Sequence, residues 1–179
     1  GSHDLSAAMC PATKLWRRKL VDLSKELVGK YGVGGIYFDY FTNHEIDCFN
    51  TDHGHPVGGG DYWSKGVHGL YEEARAECKK LNPEAMICGE MTAEWCIDVL
   101  DTMHTGSVSC NTPVYFVVYH GYTQVFGGVQ NCTTPQTIGR WWMMGTQNGR
   151  NNIMPWLATG MFGDMGSYYK NLLRCHTQF

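Results

Sequence analysis

The sequence predicts an α/β fold in which parallel strands alternate with helices. Three observations predict it. Apolar residues recur at helical spacing in two long segments. Short continuous apolar runs, too brief for helices, stand between the helical patterns. The resulting order is helix, strand, helix, strand, helix, strand, helix, and that alternation requires crossover connections and a parallel sheet.

Residues 5–10 form a short apolar segment that suits a strand end. Pro11 and Thr13 then give a helix start signal. Trp16, Leu20, Leu23 and Leu27 follow on one helical face, with Arg17, Arg18, Lys25 and Glu26 off it. Gly29, Gly32 and Gly34 end the helix. The run Gly34-Gly35-Ile36-Tyr37-Phe38-Asp39-Tyr40-Phe41 reads as a buried strand with an acid near its C-terminal end. Burying that carboxylate costs desolvation energy, and in α/β barrels the chemistry sits at that end of the strands. Residues 42–61 are too long for a simple connection, and loops of that length are commonly functional. Residues 62–81 predict a second helix with Trp63, Val67, Leu70, Ala74 and Leu81 on its apolar face; Asn82-Pro83 stops it. Residues 85–89 predict a second strand, followed by Glu90, and residues 93–101 a short helix. The β-branched run 113–119 predicts a third strand, buried on both faces, which His120-Gly121-Tyr122 ends. Further helices are expected at 137–144 and 168–175, with a polar loop at 148–152. No repeat or low-complexity linker interrupts the chain, so residues 1–179 are expected to form one domain.

Hydrophobic residues make up 43% and charged residues 17% of the 179, which indicates a globular chain with a real core. A formal net charge of -3 supplies no basic footprint for nucleic acid. No run approaches the ~20 apolar residues of a membrane span, so neither nucleic acid nor membrane is an expected partner. The eight cysteines include no CxxC pair. Several sit in apolar patterns as small hydrophobes and read as mainly reduced, pointing to a reducing, cytoplasmic compartment.

Asp39 and Glu90 both end strands. Parallel neighbours would bring them together on one face, the arrangement of paired carboxylates that glycoside hydrolysis needs. Glu94, one turn further on, is the rival acid, although acids there also suit a solvated helix start. Cys48, His53 and His55, with Asp47 and Asp52, are of the right types for zinc, but their spacing matches no standard finger or HExxH. Substrate hydrogen bonding is the preferred role for the two histidines, and neither metal nor cofactor is expected. Gly58-Gly59-Gly60 lacks the features of a phosphate loop and reads as a tight turn. Trp63 and Trp95 offer flat apolar platforms with polar rims, which suit sugar rings.

Residues 31–39, Cys48, the stretch His53-Gly54-His55-Pro56-Val57-Gly58-Gly59-Gly60, Gly89-Glu90 and Glu94 together resemble an uncharacterised family of glycoside-hydrolase-like (β/α)8 barrels. Cys10-Pro11-Ala12-Thr13 and Val118-Tyr119-His120-Gly121-Tyr122 fit it too. More distantly the sequence is similar to α-amylase and endo-α-N-acetylgalactosaminidase barrels. The resemblance implies a partial (β/α)8 barrel that begins near strand three, so that the first two strands and any flanking β-domains would come from other chain material. It also implies that Asp39, ending strand four, is the nucleophile and Glu90, ending strand five, the acid/base.

The expected function is therefore retaining hydrolysis of a glycosidic bond, with Asp39 and Glu90 catalytic and Glu94 the alternative acid/base. His53, His55, Trp63, Trp95 and His120 are the expected substrate-binding residues. The rivals are a catalytically silent carbohydrate-binding barrel and a metal-dependent hydrolase using Cys48, His53 and His55.

Overall fold

Thr13 closes a turn onto the Cys10 carbonyl through both its amide (3.2 Å) and its hydroxyl (2.9 Å), and helix α1, Lys14–Tyr31, grows from that turn. Gly32 ends it in the left-handed region at φ 68°, where a side chain would be strained. The Val33 amide then wraps back to the Leu27 carbonyl at 3.2 Å, as in a Schellman ending. The computed structural model describes residues 8–105, 114–119 and 121–127. The chain divides into two units, Gly1–Asp101 and Thr102–Phe179.

In the first unit α1 packs on helix α2, Tyr62–Leu81, whose bounds are those the apolar periodicity predicts. The face that α1 buries carries Val21, Ser24 and Val28, one step round from the predicted stripe, and Leu23 is exposed. Helix α2 supplies most of the core: Val67, Leu70, Tyr71, Ala74 and Cys78 are fully buried. Each large side chain among them contributes about 1.5–3 kcal/mol through burial. Gly66 is what allows the close approach of α2 to the start of α1. A Cβ there would lie 2.7 Å from the Pro11 carbonyl carbon and 2.8 Å from the Ala12 nitrogen. The pairs Arg17–Glu73 and Lys25–Glu77 join the two helices at their surface.

Strand β1, Gly35–Phe38, runs parallel to β2, Met86–Glu90, with Gly35 opposite Met86 and Phe38 opposite Gly89. Ile87, Cys88 and Gly89 are buried as expected. Strand β1 is not. Only Phe38 is buried, against Tyr71 at a ring separation of 5.3 Å, while Tyr37 and Asp39 are exposed. Within this unit β1 bonds β2 alone among the described residues. The desolvation cost expected for Asp39 is correspondingly absent. Residues 39–61 contain one 3-10 turn, Thr51–His53, which the Asn50 side chain caps by accepting the Asp52 amide at 2.8 Å. A 3-10 turn at Glu94–Cys96 stands where a helix over 93–101 was expected.

Asp101 fastens the end of this unit. Its amide donates to the Ile87 carbonyl at 3.0 Å, and its carboxylate accepts the Ile87 amide at 2.9 Å and the Arg75 guanidinium at 3.0 and 3.1 Å. Burial works against its charge, but these donors and Lys79 hold the carboxyl below the ordinary range.

The second unit holds a parallel pair, β3 (Thr102–Thr105) and β4 (Gln124–Gly127), with Thr102 opposite Gln124. Between them in the chain lies α3, Val114–Tyr119. That helix corrects the third predicted strand. A six-residue apolar run has no period long enough to separate helix from strand, and tertiary setting overrides β-branched preference. The predicted segments at 137–144, 148–152 and 168–175 lie outside the described residues. Each unit thus has a strand, an intervening helix and a second parallel strand, as α/β alternation requires.

Candidate functional site

Asp39 follows β1 directly and Glu90 is the last residue of β2, so each acid stands one position beyond the paired Phe38 and Gly89. Neighbouring strands lie ~4.8 Å apart, and residues side by side in a parallel pair project to the same face. One hydrogen bond crosses between the strand ends and another lies within the end of β1. The Tyr40 amide donates to Glu90 Oε2 at 2.7 Å, and the Tyr37 hydroxyl donates to Asp39 Oδ1 at 3.2 Å. Although the residue as a whole is partly exposed, desolvation at its hydroxyl, with Glu90 and Asp39 as nearby negative charges, pushes the Tyr37 phenol above its ordinary pKa, so it stays a donor.

Backbone strain marks the same place. Among the described residues, Tyr40 (φ 68°) and Met91 (φ 61°) are the non-glycine residues in the left-handed region, and each immediately follows one of the acids. Such a conformation costs about 1–2 kcal/mol and persists where the surroundings over-determine it, commonly at active sites. Behind Glu90, a Cβ at Gly89 would meet Leu100 Cδ1 at 2.8 Å. The Tyr71 hydroxyl, beside Gly89, and Thr42 Oγ1, whose methyl lies there, are buried without a hydrogen-bond partner.

Asp39 lines a cavity of about 410 Å³ with Tyr40, Phe41, His44, Ile46 and Trp63 among its walls. That volume falls within the range of small-molecule sites. Trp63 is buried and donates its indole N–H to the Phe41 carbonyl at 3.0 Å. His44 meets Tyr40 at a ring separation of 4.5 Å with the planes tilted 45°; its only sequence signal is membership of the loop after Asp39. Glu90, Glu94 and Trp95 do not line this cavity. Glu94 is exposed and Trp95 half-buried on the second 3-10 turn. His120 lies outside the described residues.

His53 and His55 turn toward cysteines. His53 Nδ1 lies 3.2 Å from Cys48 Sγ, and His55 Nε2 lies 3.3 Å from Cys10 Sγ. His55 Nδ1 is 2.7 Å from the Pro56 carbonyl, and its ring stacks on Tyr62 at 3.8 Å, 8° from parallel. Gly54, at φ 74°, makes the reversal that brings both imidazoles to one side. Burial raises the Cys10 thiol pKa, the Ala12 and Thr13 amides oppose that, and Cys48 adds to it. The sequence reading overlooked Cys10 as a member of this group, because it is 45 positions from His55.

The family model described as "Domain of unknown function (DUF6259)" matches residues 1–131. A protein of Bacteroides thetaiotaomicron named "Putative glycoside hydrolase" is 32% identical over 137 residues, covering 69% of this chain and 20% of its own length. A Monosiga brevicollis protein named "Putative glycoside hydrolase 22789" is 25% identical over 130 residues, covering 68% of this chain and 11% of its own. The chain thus spans a fifth or less of the length of these relatives. No solved structure matches. With its first 131 residues matched, the chain belongs to the DUF6259 family.

Proposed function

We propose that this chain supplies the catalytic strand ends of a retaining glycoside hydrolase. The observation that supports the reading is that Asp39 directly follows β1 and Glu90 ends β2, its parallel partner, each acid being followed by left-handed backbone. The relatives' names support the reaction class. In this reading β1 and β2 are the fourth and fifth strands of a (β/α)8 barrel, and the first two strands come from chain material outside these 179 residues.

Asp39 Oδ attacks the anomeric carbon while Glu90 gives its proton to the departing glycosidic oxygen, leaving a glycosyl ester on Asp39. Glu90, now a carboxylate, takes a proton from water. The water oxygen bonds to the anomeric carbon and Asp39 is released. Such chemistry asks for a carboxyl separation of ~5–5.5 Å, within reach of side chains on adjacent strands. Trp63 provides an apolar wall for the sugar beside Asp39, and the Tyr37 hydroxyl orients the nucleophile.

A second reading is a carbohydrate-binding barrel without turnover. It is favoured by the Glu90 carboxylate being engaged by the Tyr40 amide and lying outside the Asp39 cavity. The test uses the whole protein that carries this chain and a panel of aryl glycosides. D39N is expected to lower turnover by about 10³-fold or more, and azide should restore part of the rate lost in E90A. Unchanged turnover in D39N would refute the assignment. No turnover in the parent protein, with glycan binding intact, would establish the second reading.

A further inference from the structure

Cys10, Cys48, His53 and His55 present one ligand atom each, and all four atoms lie within 4.8 Å of one another. A tetrahedral zinc with Zn–S ~2.3 Å and Zn–N ~2.0–2.1 Å needs its sulfur and nitrogen ligands ~3.6 Å apart. The Cys48–His53 and Cys10–His55 S···N separations are 3.2 and 3.3 Å, and no pair among the four atoms is more than 4.8 Å apart, so side-chain adjustments of about an ångström bring the set toward that geometry. We propose that these four residues form a structural site for one divalent transition-metal ion, zinc by ligand chemistry, that clamps the loop after β1 to the start of α1.

Three features separate this group from a chance meeting of polar side chains. The set is two thiols and two imidazoles, the soft and borderline donors that select zinc over magnesium or calcium. The outer contacts are those that a metal site requires. With Nδ1 protonated and donating to the Pro56 carbonyl, His55 presents Nε2 as a lone pair toward the sulfur of Cys10. The Tyr62 ring holds that imidazole in plane, and the Tyr62 hydroxyl accepts the Cys48 amide at 2.6 Å and donates to the Ile46 carbonyl at 2.7 Å. The Gly58 amide holds the Cys48 carbonyl at 3.0 Å. Finally, both supporting segments are fixed independently of any ion. Gly66 seats the Cys10 turn against α2, and the Asn50 cap with Gly54 shapes the turn that carries His53.

Four protein ligands leave no open coordination position, so the ion would stabilise and would not activate water. The site is distinct from the acid pair and does not depend on the glycosidase reading. It also withdraws both ring nitrogens of His55 from sugar binding.

The experiment needs no substrate. The whole protein is purified without chelators or metal-affinity resin, and its metal content and X-ray absorption are measured. One zinc per chain is expected, with a shell of two sulfur and two nitrogen ligands. Cobalt in place of zinc should give the visible bands of a tetrahedral thiolate site. C10S should weaken metal binding beyond the ~10–100-fold that loss of an outer partner costs. Chelation should lower the melting temperature of the parent protein and leave that of C10S unchanged. H53N serves as the second variant if C10S does not fold. A folded parent protein that takes up neither zinc nor cobalt would overturn the proposal. So would a shell lacking sulfur, or a Cys10–Cys48 disulfide seen by mass as the loss of two hydrogens.

Discussion

At Tyr40 and Met91 the chain holds side chains on left-handed backbone directly after Asp39 and Glu90. Glycine would accept either backbone position freely, so M91G is expected to be more stable than M91A in chemical denaturation, while loosening Glu90 and lowering any turnover. The Tyr71 hydroxyl is the opposite case, a buried donor without a partner. Y71F should leave stability equal or higher, since the change removes an unmet polar group and keeps the ring against Phe38. Asp101 is worth more. Its folded pKa lies below the ordinary 3.8. Its contribution is therefore fully present above that value and is lost as pH falls through the lower folded value. D101N should cost ~1–3 kcal/mol at neutral pH and flatten the acid limb of a stability–pH curve. Asp39 and Glu90 were legible as single residues because an acid ending an apolar run is conspicuous. Cys10 was not legible as a companion of Cys48, His53 and His55, because its meeting with His55 depends on how α2 seats the Pro11 turn.

Helix α2 was read to the residue because twenty positions of apolar periodicity leave no alternative, and Asn82-Pro83 stops it. Its Gly66, by contrast, carries no periodic signal; only the packed structure shows the Pro11–Ala12 backbone against it. G66A is expected to destabilise by ~1–3 kcal/mol, measured by thermal or chemical denaturation, because backbone cannot yield as a flexible side chain would. Short elements behaved differently. Thr102–Thr105 and Gln124–Gly127 are four-residue strands without alternation strong enough to announce them, and 114–119 is a helix made of strand-favouring residues. In each, neighbouring elements decide the conformation and the local pattern does not.

Across the first unit, stability should be uneven in a readable way. Strand β2 is buried and tied to Asp101, whereas β1 leaves Gly35 and Tyr37 exposed. Hydrogen exchange is expected to show the Ile87 and Cys88 amides outlasting those of β1, and equal protection would contradict this ordering. The chain also covers only 20% and 11% of its two named relatives. The bond from the Tyr40 amide to Glu90 joins positions 50 residues apart. That amide belongs to the same rigid peptide plane as the carbonyl of Asp39. A rotation of this one plane would shift the backbone of Asp39 and strain the bond to Glu90 together.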